Sequence, residues 1–145
     1  LSNNFTYTHL YGKLESQIED SSYIEIYNSD SSRKPTLQRS INAHKINYLL
    51  SDQVTISLYE MIVYGGNRSF EPYYFLPLIP FLPIQTFLGD LDNDLIGISI
   101  ELELQNNSLY TSLVIDEWTP PDTFKKEHKN WFIYQFGIDI ETNLF

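Results

Sequence analysis

Apolar and polar residues alternate along much of this chain with the two-residue period of half-buried β-strands. The clearest case is LIGISIELELQ (95–105), where the aliphatic residues at every second position predict an inward face. Similar patterns predict strands over 5–14, 21–29, 53–64, 109–118 and 131–140. The triplet NNS (106–108) predicts a hairpin turn, because asparagine tolerates left-handed backbone.

One stretch, PTLQRSINAHKINYLL (35–50), has a helical spacing instead. Its shared face recurs at intervals of four, three and four, at Leu37, Ile41, His44 and Tyr48. Strands do not alternate with helices elsewhere, so a parallel fold is not expected. The whole pattern predicts a mainly β chain, a single antiparallel β-sandwich-like domain over 1–145 with at most one short helix at about 36–50.

Composition narrows the classes of function. The 145 residues include 11 Tyr and 9 Phe, which favours strands. The formal charge of −10 opposes contact with phosphate backbones, so no nucleic-acid partner is expected. The absence of cysteine removes disulfides, thiol catalysis and cysteine-ligated metals. No apolar run is long enough to predict a membrane-spanning helix.

The segment PYYFLPLIPFLPIQTF (72–87) places three prolines at intervals of three. That spacing predicts a polyproline II rod, and none of its edges is polar. The rod is expected to pack across a sheet edge, to contact a protein partner or another copy, or to touch a membrane. The candidate interface residues are Tyr73, Tyr74, Phe75, Pro77, Ile79, Pro80, Phe81 and Pro83.

The PLIPFLP run and the following hairpin IGISIELELQNNSLYTSLVIDEWTPP resemble small exported lipoproteins of Gram-negative bacteria. The resemblance covers about 72–121. It implies a β-sandwich domain tethered by a lipidated N-terminal cysteine, and it implies no catalytic residue. This chain lacks that cysteine.

The acidic stretch DLDNDLIGISIE (90–101) partly matches a calcium-binding loop, with Asp90, Asp92 and Asp94 at its first, third and fifth positions. However, Leu95 stands where such a loop needs glycine. If 95–105 is a strand, Glu101 also lies roughly 20 Å from Asp94, too far to close the loop. The stretch therefore predicts an acidic turn and no metal site, with calcium at the three aspartates as the alternative.

No constellation of catalytic residues is recognisable. The chain lacks a serine-hydrolase elbow and a glycine-rich phosphate loop, and its three histidines are far apart in sequence. Glu101 and Glu103 share one strand face rather than flanking a cleft. We therefore expect no enzyme and no cofactor, although a small enzyme or a carbohydrate binder using Trp118 and Trp131 remains a third class.

Two functions are carried forward. The first is a non-enzymatic exported protein of the bacterial cell envelope, periplasmic or outer-membrane-associated, with tethering through a removed N-terminal segment. It would act through a protein partner or self-association, or as a structural subunit of an envelope assembly. The alternative is an acidic cytoplasmic immunity or inhibitor protein that blocks a basic toxin surface with Asp90, Asp92, Asp94, Glu101 and Glu103.

Overall fold

The computed structural model describes residues 4–15, 36–65, 70–89, 91–116, 118–125 and 131–140. Within them, six antiparallel strands form one sheet in which each strand pairs with its neighbours in the chain. The strands are β1 (Phe5–Leu14), β2 (Arg39–Ser51), β3 (Val54–Gly65), β4 (Asn93–Leu104), β5 (Asn107–Asp116) and β6 (Trp131–Ile140).

The prediction of a mainly β chain is confirmed. Five of the predicted strands are present within two residues of their expected bounds, while the one predicted over 21–29 lies outside the described residues. All six described strands belong to a single sheet, so the described residues do not supply the second layer of a sandwich. The hairpin turn falls slightly earlier than predicted, with Gln105 rather than an asparagine in left-handed backbone at φ 54°.

The helix predicted at 36–50 is wrong, because this stretch is β2. It pairs antiparallel with β1 on one side and with β3 on the other. Ser40, Asn42 and His44 face one side of the sheet and are buried or half-buried there. Because these three residues are polar, β2 lacks the apolar alternation of an ordinary half-buried strand. Its pairing with both β1 and β3 outweighs the helical spacing of its sequence.

The connection from β3 to β4 folds back over the sheet, and we call residues 70–89 the covering segment. It contains a 3₁₀ turn, Pro72–Phe75, and helix α1, Phe81–Leu88. The predicted polyproline II rod is therefore wrong. Pro80 is the N-cap of α1 and Pro83 lies in its first turn, where backbone N–H groups have no partner within the helix and a proline is tolerated. Gly89, at φ 104°, ends α1 in the left-handed conformation.

The covering segment lies on one side of the sheet, which we call the front face. Tyr74, Phe81 and Ile84 of this segment pack with Ile62 and Tyr64 of β3 to form the buried core. Each such side chain stabilises the fold by roughly 1.5–3 kcal/mol relative to an exposed one. The core therefore sits at one end of the sheet and leaves the rest of the front face without a described layer above it.

The opposite side of the sheet, which we call the back face, has a groove. Residues from all six described strands line it. Two glycines lie under aromatic rings on this face: a Cβ at Gly97 would lie 2.2 Å from the ring of Tyr59, and one at Gly137 would lie 2.2 Å from that of Tyr110. These close cross-strand approaches need glycine.

Candidate functional site

The interface candidates of the covering segment separate into two groups. Tyr74 and Phe81 are fully buried in the core, and Phe75 is half-buried against the rings of His9 and Tyr11. These three side chains hold the segment on the face of the sheet, whereas the packing alternative placed it across a sheet edge. The others point to solvent: Tyr73, Pro77, Ile79, Pro80 and Pro83.

Glu60 of β3 anchors the start of α1. Its carboxylate accepts hydrogen bonds from the backbone N–H groups of Phe81, at 2.7 Å, and Leu82, at 3.1 Å. It also lies 2.9 Å from Nε2 of His44. A carboxylate in this position satisfies two N–H groups that a helix cannot pair internally and interacts favourably with the helix dipole.

A second set of polar contacts fastens the two ends of the covering segment. The side-chain amide of Asn42 donates to the backbone oxygen of Tyr74 at 2.9 Å. The hydroxyl of Tyr74 donates to Asp92 at 2.6 Å, and Gln85 donates to the backbone oxygen of Asp92 at 2.6 Å. These polar groups are buried and mutually bonded, so they fix the position of the segment.

Asp94 lies beside this network on β4 and is only 4% exposed. Burial, and then the neighbouring negative charge of Glu60, raise the pKa of Asp94 to about 8. Asp94 therefore holds a proton at neutral pH.

The two described aspartates of the calcium alternative have structural roles. Asp92 is bonded to Tyr74 and Gln85, and Asp94 is buried under the covering segment. Asp90 lies outside the described residues. Among the residues that the structure describes, no three acidic or histidine side chains lie close enough together to hold a metal ion.

Beyond the covering segment, the front face is an apolar surface that we call the open floor. Two cross-strand rows cross the whole sheet there, Phe5–Tyr48–Ile56–Ile100–Thr111–Phe136 and Tyr7–Ile46–Leu58–Ile98–Leu113–Tyr134. Its other members are Leu102, Leu104, Leu109, Phe132, Ile138 and Ile140. All are half-buried or exposed; Leu58, on a central strand, is 55% exposed, and Tyr134 and Phe136 are 76% and 74% exposed.

The open floor contains no charged residue in any of its described positions. By strand alternation, four carboxylates of β4, β5 and β6 point to the back face: Glu101, Glu103, Asp116 and Asp139. The described carboxylates of the inhibitor alternative do not lie on one common surface. Of its five carboxylates, Asp92 and Asp94 are buried, and Glu101 and Glu103 lie exposed on the back face.

A groove of about 240 Å³ runs where the covering segment meets the open floor. Leu78 and Pro80 form its wall, and Ile46, Leu58 and Ile96 contribute to its base. The open floor is thus bounded on one side by the covering segment, which rises above the sheet and forms one wall of this groove.

The back-face groove has a volume of about 540 Å³. Its lining is mainly aliphatic, with Lys45 and Thr8 at the β1–β2 end. His44 and Glu60 also border it, although strand alternation directs their side chains to the front face. Both grooves are lined mainly by apolar residues.

Sequence reasoning missed the open floor as a candidate binding surface. The alternation of β4 was visible and predicted an inward face, but its isoleucines at 98 and 100 are exposed. The signal that could have found this surface is the lack of charge along alternate positions of β4, β5 and β6 together.

The two tryptophans of the carbohydrate-binder alternative lie in different parts of the chain. Trp118, in the connection after β5, donates its indole N–H to Thr123, and Trp131 is exposed at the start of β6.

None of the described helices is long and apolar enough to cross a membrane. Comparison of the chain with protein-family models, with curated proteins and with solved structures found no match.

Proposed function

We propose that the protein is a non-enzymatic interaction domain that packs its open floor against a second copy of itself, as a subunit of a bacterial cell-envelope assembly. The observation that carries the proposal is the extent of the apolar surface that no described residue covers. With ~200 Å² for a fully exposed large side chain, the exposed fractions of the floor residues amount to roughly 1,000 Å². The largest apolar patch of a typical monomer is about 300–600 Å², whereas each partner of a standard interface buries about 800 Å².

A second sheet fits this surface geometrically. Two apolar sheet faces pack about 10 Å apart with their side chains interleaved. The covering segment already fills part of the layer above the front face, and the sheet of a second copy would fill the rest of that layer. The sandwich predicted from the alternation of β4 would then be completed between two molecules.

The neutrality of the open floor makes contact with a second copy possible despite the net charge. Two chains of charge −10 repel each other over long range, so a contact between them needs a surface on which no like charges meet. The open floor has no charge in its described positions, and the neighbouring carboxylates point to the back face. Contact through the floors therefore brings no like charges together.

The association is tested by placing one charge on either face of β6. Size-exclusion chromatography with multi-angle light scattering measures the mass of the protein in solution. We expect the unmodified protein to be a dimer and the Phe136→Glu variant, which carries the charge at an exposed position on the open floor, to be a monomer. Gln135→Glu is the matched control, since it adds the same charge to the adjacent exposed position on the back face. An unmodified protein that stays monomeric at every concentration, or a control that dissociates equally, would overturn the proposal.

The envelope setting is supported only by the resemblance of the 72–121 region to exported lipoproteins. It is tested separately, by locating the native protein in periplasmic, membrane and cytoplasmic fractions of its host. Recovery in the cytoplasm alone would remove that setting and leave the association through the floor unaffected.

A further inference from the structure

The back-face groove runs across the strands rather than along them. One wall is formed by five residues of a single cross-strand row, Thr8, Lys45, Tyr59, Val114 and Ile133; Gly97 completes this row beneath the ring of Tyr59. The other is formed by Leu10, Ala43, Met61 and Leu95 of the next row. Because neighbouring strands are about 4.8 Å apart, the distance from Lys45 on β2 to Ile133 on β6 is roughly 19 Å. The groove is therefore long and narrow.

Its two ends differ in polarity. Lys45 and Thr8 lie at one end. Among the described lining residues, Lys45 is the cationic residue whose side chain points to the back face, as strand alternation requires. Val114 and Ile133 stand at the other end, next to Asp116 and Trp131 in the neighbouring row. An anionic group is therefore attracted to the Lys45 end and repelled from the β6 end by Asp116.

The next cross-strand row of the back face, which includes Asn47 and Gln135, is polar, and some of its side chains hydrogen-bond to one another. Ser57 donates its hydroxyl to Asn47 at 2.8 Å, and Ser112 donates to Gln135 at 3.4 Å. The residues that line the groove itself are mainly aliphatic, so its length is apolar. A volume of about 540 Å³ lies in the range of sites for small molecules.

We infer that the back-face groove binds a free long-chain fatty acid, whose carboxylate meets the ammonium group of Lys45 and whose hydrocarbon chain lies across the strands toward Ile133. The length, the apolar lining and the single cationic end together select a linear amphiphile with one negative head. This site lies on the face opposite the open floor, so it does not depend on the proposed association.

The test is a fluorescence titration with cis-parinaric acid, a single-chain fatty acid, and with its uncharged methyl ester. We expect saturable binding of one acid per chain. Lys45→Met should weaken binding of the acid about tenfold, the value of one lost charge-assisted contact, and should leave binding of the ester unchanged. Lys13→Met is the matched control, because it removes the same charge from the front face of β1.

A second pair of variants locates the hydrocarbon chain. Ile133→Glu, at an exposed position, should weaken binding of both acid and ester, whereas Gln135→Glu on the same strand should not. The inference is overturned if no saturable binding occurs, or if Lys45→Met and Lys13→Met have equal effects. It is also overturned if Phe136→Glu abolishes binding while Ile133→Glu does not, since the probe would then occupy the open floor.

Discussion

Replacing Asp94 with asparagine should remove much of the pH dependence of the stability of this domain. The pKa of Asp94 is about 8 in the folded chain and about 3.9 in an unfolded one. Between these values the folded state keeps a proton that the unfolded state has lost. Its contribution to stability is therefore complete below pH ~4, declines as pH rises, and is lost once pH passes about 8.

The magnitude follows from the size of the interval. Each pH unit between the two pKa values changes the free energy of unfolding by at most about 1.4 kcal/mol. From pH 5 to pH 7 the upper limit is therefore ~2.7 kcal/mol. Because Glu60 shares the site, the expected loss in the unmodified protein is about 1–2.5 kcal/mol, and the Asp94→Asn variant should lose that much less.

The assay is urea unfolding followed by the fluorescence of Trp118 and Trp131, at one-unit steps from pH 5 to pH 8 and at one protein concentration. Asp139→Asn is the control, since it removes a carboxylate from an exposed position on β6. The reasoning is refuted if the unmodified protein and Asp94→Asn show parallel stability curves across this range. It is also refuted if Asp139→Asn changes the slope as much as Asp94→Asn does.

Three further substitutions test the covering segment and the sheet by urea unfolding at pH 7. Glu60→Gln should cost about 2 kcal/mol, because the amide cannot accept from both N–H groups at the start of α1; a loss below ~0.5 kcal/mol would contradict the anchoring role. Ile84→Ala should cost about 2–4 kcal/mol, whereas Pro83→Ala in the same turn should cost less than about 1 kcal/mol; equal losses would contradict the assigned packing. Gly97→Ala should cost about 2 kcal/mol by displacing the ring of Tyr59, and Tyr59→Ser in the same chain should recover part of that loss; strictly additive losses would exclude this contact.

The strands were predictable where alternation coincides with the faces of the sheet. β4 and β6 have apolar residues at every second position, and both follow the two-residue period. β2 does not, because Ser40, Asn42 and His44 lie under the covering segment, where their burial depends on Tyr74 and Glu60. Those contacts are distant in sequence, so the local pattern of β2 resembled a helix.

The proline segment shows a second limit of local reasoning. Prolines at intervals of three suit a polyproline II helix, but Pro80 and Pro83 also suit the N-cap and first turn of an α-helix. Glu60 provides the acceptor that starts α1 at Phe81, and it comes from another element. Sequence spacing alone did not distinguish these two structures.

Only part of the open floor could be predicted from the sequence. The alternation of β4 showed that one face is apolar, and it did not show what covers that face. The lack of charge extends to β1, β2, β3, β5 and β6 only once the register aligns their alternate positions in rows. This candidate surface is therefore a property of strand order and register, which the sequence did not specify.

The most direct test of the central claim uses single-cysteine variants, which report one position each because the chain contains no cysteine. Phe136→Cys and Gln135→Cys place a thiol on the open floor and on the back face of the same strand. The rate of thiol labelling is measured over a range of protein concentrations. We predict that labelling of position 136 slows as concentration rises, while labelling of position 135 does not change. Equal and concentration-independent rates at both positions would contradict burial of the open floor against a second copy.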